Sequence, residues 1–255
     1  ILSRIKNVFA DATSETAPTD LKTREIGASG TNEFHGIIVQ DFNSDFQGQS
    51  AIRIYEEMRK TDGTVNAVIS ALKLPIQTAE KMIESADAED DTQNEIAEFV
   101  RWNLFDKLEG GFDSFLQEAL CYLEFGFYYF EKVYEIKDGM VVLKKLAPRL
   151  PSAHYLWIMQ KQPSLPGITQ FLPTYNKSVE INPEIPMDKL VLFTNRKEGD
   201  NYEGVSILRS AYKHWYHKDN LYRIDGIKHE RGAGVLNIGL PEGSSSEDQA
   251  DAEEM

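Results

Sequence analysis

The 255 residues predict an α+β fold, and three observations carry that prediction. Before residue 126, apolar side chains recur at helical spacing. From 127 to 146 the period shifts to two, on either side of an Asp138-Gly139 pair that marks a hairpin turn. From 206 to 231 the helical spacing returns over one long stretch. The strands do not alternate regularly with helices, so a parallel doubly wound sheet is not expected.

Residues 1–49 hold many Ser, Thr, Asp, Asn and Gly with weak periodicity, and read as an extended N-terminal arm. An arm with little core of its own orders against a neighbour. Residues 50–243 form the body. Ser50 caps a helix through Lys60 that turns Ile52, Tyr55 and Met58 inward. A second helix spans 64–74, with Val65, Val68, Ile69 and Leu72 on one face. It ends near Pro75, which lacks the amide proton a helix needs. Residues 76–85 suit a strand or a short helix. Thr92 and Glu95 form a capping box for a helix that buries Ile96, Phe99, Val100, Leu104 and Leu108. Asp113 or Ser114 caps the next, with Leu116, Ala119, Leu120 and Leu123 inward and Gly126 at its end. Strands follow at 127–136 and 140–146, then shorter ones at 155–159, 168–172 and 190–194, with turns at Pro166-Gly167 and Asn182-Pro183.

Residues 206–231 read as one helix of roughly 40 Å. Ser206 is its expected N-cap, and Gly232 and Gly234 stop it. Leu208, Ala211, Tyr212, Trp215 and Tyr216, then Leu221, Ile224 and Ile227, share one side, with a slip in phase after Tyr216. The other side is read as a basic stripe of Arg209, Lys213, Lys218, Arg223, Lys228 and Arg231, facing only Asp219, Asp225 and Glu230. Such a stripe is either a solvated helix face or a face that meets a phosphate backbone or an acidic neighbour. Val235 to Ile238 reads as a short strand. Ser246 with Gln249 opens a further helix within 244–255. Because the chain begins at Ile1 and stops inside an acidic run, it is expected to be the N-terminal portion of a longer protein.

The net charge is −14, from 41 acidic and 27 basic residues. That balance argues against a protein that coats nucleic acid, since phosphate would be repelled overall. If DNA passes such a protein, it slides past a repelling wall and does not stick. Cys121 is the single cysteine, so no intrachain disulfide forms, which fits a reducing compartment. The longest apolar run, 120–130, is broken by Glu124 and Gly126 and is too short to span a bilayer.

Convergent catalytic groups are scarce. Asp87, Glu89 and Asp91 alternate as in a calcium loop, with Glu98 at the twelfth position, but Thr92 stands where that loop needs glycine. Acid residues at a helix N-terminus explain the run more simply. His214 and His217 stand three apart without the partners of a zinc motif. Cys121 lies among leucines, as an inert thiol does. A lysine-bearing glycine-rich phosphate loop is missing, so ATP hydrolysis is not expected. Catalytic, cofactor and metal sites are therefore all expected to be absent.

The order G-V-S-I-L-R, then A-Y, Trp215 and Lys218, then Glu230-Arg231-Gly232-Ala233-Gly234-Val235, resembles the portal proteins of tailed bacteriophages, and is similar to the Mu-like subgroup. Earlier pieces agree in order: Tyr55 to Met58, Asp62, and Val65 to Pro75. Glu98 to Val100, Phe125 to Phe127, Glu131 to Val133, and Ile185-Pro186 to Leu190-Val191 follow. The resemblance spans about residues 50–243. It implies a wing-like body with several helices, an antiparallel or mixed sheet region and a long helix near the C-terminal end. It also implies a ring, of about twelve copies, at one capsid vertex. Double-stranded DNA would pass through it without sequence readout, packaged by a separate terminase and later ejected. The major capsid protein and tail adaptor proteins would be partners, a membrane would not, and assembly would take place in the bacterial cytoplasm before residence in the virion. Gly204, Leu208, Trp215, Glu230, Arg231, Gly232 and Gly234 would be the structural motif. Glu230 and Arg231 would fix the helix end. Arg209, Lys213, Lys218, Arg223 and Lys228 would face a neighbouring subunit or DNA. A metal-dependent α+β hydrolase, resting on the acidic run and the histidine pair, and a different capsid-vertex protein such as an adaptor stay open beside it.

Overall fold

The structure is a computed structural model, and it describes residues 29–158, 167–170, 183–232 and 245–246. Expectations that fall on residues 1–28, on the turns at Pro166 and Asn182, on Gly234 and the strand after it, and on the helix in 247–255 lie outside the described residues. The chain divides into a unit of residues 1–209 and a unit of residues 210–255.

The first unit is α+β, as predicted. It opens with a small antiparallel hairpin, β1 (Glu33–Phe34) and β2 (Ile37–Ile38), and a 3₁₀ turn at Ser44–Phe46. These residues belong to the expected arm, yet they are docked. Ile38 and Phe46 are buried, and the Trp157 amide donates to Gly36 O at 2.9 Å.

Helix α1 (Gln49–Thr61) buries Ile52, Tyr55 and Met58, the face that was expected inward. Helix α2 (Gly63–Thr78) is longer than proline suggests. Asp62 caps it by accepting from the Thr64 and Val65 amides, and Pro75 sits inside its last turn. Only Ile69 of its apolar face is buried, while Val68 and Leu72 are exposed. Helix α3 (Asp91–Arg101) is capped by Asp90, not by Thr92, and runs on as a π-helical turn at Trp102–Lys107. Leu108 is buried, but Ile96 and Val100 lie on the surface. In both helices the spacing marks an apolar face correctly, and among the described residues nothing covers it.

The buried Asn103 takes over a strand's role at the sheet edge. Its amide donates to Leu143 O and accepts from Leu143 N, both at 2.9 Å. Helices α4 (Phe112–Ala119) and α5 (Tyr122–Phe125) replace the single helix expected there, and Gly126 ends the second at φ +93°.

Strands β3 (Phe127–Lys137) and β4 (Met140–Arg149) pair through the predicted two-residue turn, where Asp138 and Gly139 both take positive φ. Strand β8 (Leu190–Thr194) pairs on the other side of β3, giving the antiparallel order β4-β3-β8. A second antiparallel sheet joins β5 (His154–Ile158), β6 (Gly167–Gln170) and β7 (Glu184–Pro186). The centre of the core is Phe127 to Phe130, where four successive aromatic residues are all buried. They do not alternate in and out, because both faces are covered. Tyr128 and Phe130 pack with Ala119, Phe115 and Phe193 on one face. Phe127 and Tyr129 pack against His154 on the other, and Trp157 packs on Phe127.

The second unit contains helix α6 (Tyr212–Arg231), in which no residue is buried. The predicted helix began at Ser206, but residues 207–211 form turns instead. The Ser206 hydroxyl does accept from an amide two residues on, that of Leu208 at 3.0 Å, so the capping reading found a real turn and mistook it for the helix start.

Candidate functional site

Two features built from the family-like motif stand out, one in each unit. The first is a backbone clasp around Gly204. The Asn195 amide donates to Gly126 O at 2.7 Å, and the Val205 amide donates to Asn195 O at 2.9 Å. The Ile207 amide reaches Leu123 O at 3.0 Å, and the Asn195 side-chain amide donates to Val205 O at 2.7 Å. Asn201 Oδ1 accepts from the Glu203 and Gly204 amides, and the Ser206 hydroxyl donates to Glu124 O. The end of α5, the end of β8 and residues 201–207 are thus locked together through main-chain groups.

Glycine is required at two points of this clasp. Gly204 has φ +59°, and a Cβ there would lie 2.2 Å from Asn195 O. Gly126 has φ +93°, and its Cβ would meet Glu203 O at 2.4 Å. Both obstacles are backbone carbonyls, and Asn195 O is itself held by the Val205 amide, so it cannot move aside without breaking that hydrogen bond.

Charged side chains brace the clasp from two directions. Arg209 does not stand on the long helix as expected. It lies in the first unit and grips Asp41 with two hydrogen bonds of 2.5 and 2.8 Å, its guanidinium 4.1 Å above the Phe46 ring. The Arg209 hydrogen bond holds the Asp41 carboxyl below the usual carboxylate range, against the opposing effect of burial. Asp41 and Arg209 line a cavity of about 260 Å³ with Tyr55, Asn201 and Glu203. Burial pushes the Glu203 carboxyl up to about 7, although a 3.2 Å hydrogen bond from Trp157 Nε1 favours its charged form.

On the other side lies Glu124, 2% exposed. Arg59 donates to it at 2.7 Å and Lys73 donates to its second oxygen. Two cations on two helices therefore satisfy one carboxylate in the core, the condition under which a buried charge is tolerated. Lys73 also approaches Cys121 Sγ at 3.5 Å, and burial raises that thiol out of its reactive range. Asp41, Glu124, Asn195 and Asn201 were not singled out from sequence. Only Glu124 carried a local signal, as a charge inside an apolar run.

The second feature is α6. Lys213, Lys218, Arg223 and Lys228 recur every five residues, and each such step turns about 140° around a helix. They wrap the helix and do not form the single stripe expected. Apolar side chains wrap it too: Tyr216, Leu221, Tyr222, Ile224 and Ile227 are all at least half exposed. Trp215 is half-buried, against Tyr212. Arg223 pairs with Asp219 at 2.7 Å. Glu230 and Arg231, expected to fix the helix end, are exposed and make no ion pair among the described residues. Gly232 closes the helix at φ −92°, not in the left-handed conformation expected of it.

Among the described residues no group of three or more His, Cys, Asp and Glu is placed to hold a metal ion. None of their helices is long and apolar enough to cross a membrane. The model of a family described as portal protein of Mu bacteriophage matches residues 52–255. No curated protein matches the chain.

Proposed function

The chain belongs to the Mu bacteriophage portal protein family, and from that premise we propose that it is the subunit of a ring at one capsid vertex through which double-stranded DNA enters and leaves. The function is mechanical. A separate terminase supplies the energy of packaging, and the major capsid protein and tail adaptors dock around the ring.

The observation that carries the ring is α6. A 20-residue helix with no buried residue and with apolar side chains on several sides is not stable in water by its own propensity. It needs neighbours on more than one side, and a heterologous contact repeated around a closed axis supplies them. The net charge of −14 supports passage of DNA without adhesion. Lys213, Lys218, Arg223 and Lys228 then meet acidic groups of the next subunit. Arg209 serves differently, as the internal brace of the clasp.

Particle imaging and native mass of the full-length protein, alone and with its capsid proteins, test the proposal. Rings of about a dozen subunits with a central hole are expected. A protein that stays monomeric or dimeric in both conditions would sink it. Alanine at Lys213, Lys218 or Arg223 is expected to weaken ring formation. Normal rings that lose packaged DNA would instead assign those side chains to DNA.

A further inference from the structure

We infer that the exposed face of α3, with the acidic segment that leads into it, is the seat for helix α6 of a second copy of this chain. The inference rests on the ring proposed above and names the two surfaces that meet.

Among the described residues the α3 side is unpartnered, and it is two-toned. Met82 is 63% exposed, Ile96 50% and Val100 36%, all large side chains that folding leaves in water. Around them, residues 79–101 carry Glu80, Glu84, Asp87, Glu89, Asp90, Asp91, Glu95 and Glu98, every one exposed, against Lys81 and Arg101. Lys81 is turned to Asp113, at 2.9 Å, and Arg101 donates to Ile83 O. Among the described residues none of the eight carboxylates enters an ion pair. Local capping accounts for Asp87 and Asp90, which accept from the Glu89 and Thr92 amides, and leaves the other six facing solvent.

The α6 side complements this in both respects. Leu221, Ile224 and Ile227 recur at three-residue steps and are 63%, 51% and 51% exposed, so they form one ridge. Arg223 and Lys228 flank that ridge, and the helix as a whole carries five Lys and Arg against three acids. Ile96 and Val100 are spaced four apart and offer a matching ridge. Two α6 helices packed on each other would bring like charges together. An acidic apolar helix against a basic apolar helix pairs them, which fixes both partner and register. The contact is heterologous, so it can repeat from copy to copy.

The test is cross-linking of the full-length chain in a Cys121→Ser background, after native mass of the parent. Val100→Cys chains and Ile224→Cys chains, mixed and oxidised, should give a covalent pair that neither gives alone. The double variant should give a ladder of covalent oligomers. Glu95→Lys with Glu98→Lys should cut the cross-linked yield roughly tenfold at low salt. A fast-migrating monomer from the double variant would mean the contact lies within one chain, and would overturn the inference. Rings without any cross-link would overturn it too, and leave the ring itself standing. A parent that forms no ring under any condition removes the proposed function and this inference together. Val100, Ile224, Glu95 and Glu98 are exposed, and native mass of the Cys121→Ser parent checks the one substitution at a partly buried position, so loss of folding does not confuse the outcome.

Discussion

A methyl group placed on Gly204 probes the clasp at its tightest point. The added Cβ would lie 2.2 Å from Asn195 O, 2.7 Å from Thr194 Cγ2 and 3.0 Å from Gly126 O. Asn195 O accepts from Val205 N and Gly126 O from Asn195 N, so relief by movement breaks hydrogen bonds elsewhere. The left-handed backbone costs alanine about 1 kcal/mol. Forced overpacking adds about 1–3 kcal/mol, and loss of one clasp hydrogen bond about 1 kcal/mol more. Gly204→Ala should therefore lose about 3–5 kcal/mol. At roughly 2–4 °C per kcal/mol for a chain of this size, the thermal midpoint falls by about 10 °C, read by calorimetry or circular dichroism. Gly226→Ala is the matched control. Gly226 lies within α6 with nothing within 4 Å of its Cβ, so alanine should strengthen the helix by about 1 kcal/mol. If Gly204→Ala melts within 2 °C of the parent, the steric account of the clasp is wrong.

Two further outcomes follow from the buried Glu124 and the half-buried Glu203. Glu124→Gln leaves Arg59 and Lys73 without their shared anion and should cost about 3 kcal/mol in urea unfolding, since breaking one side of a buried ion pair strands the other. A change under 0.5 kcal/mol would show that water satisfies those cations. Glu203 keeps its proton up to about pH 7 when folded and to about 4.5 when unfolded. The folded chain therefore binds more protons in that window, and stability is lost as pH rises through it. Glu203→Gln should match the parent near pH 4 and exceed it at pH 8 by up to about 3 kcal/mol. A difference between the two proteins that does not change with pH refutes this.

The local rules were legible in the chain wherever neighbours in sequence decide the structure. Asp138-Gly139 made the hairpin because two left-handed residues in succession admit few other turns. The inward face of α1 followed from Ile52, Tyr55 and Met58. The order of motif pieces pointed to the family that matches residues 52–255. Local signals misled where a distant partner decides. Ser206 looks like a helix cap, yet its hydroxyl is drawn to Glu124 O from 82 residues away, and the helix starts six residues later. Arg209 looks like one more surface cation, yet Asp41, 168 residues earlier, captures it. Pro75 looks like a helix end, yet α2 passes through it to Thr78. Periodicity marks which side of Val68, Ile96 or Ile224 is apolar but not what covers it. Sequence by itself determined most of the elements, though not all of their ends, and the family, because both are written in short-range spacing. Only the tertiary structure decided which charges are internal braces, which glycines admit no side chain and which apolar faces remain open, because these depend on contacts between residues far apart in the chain.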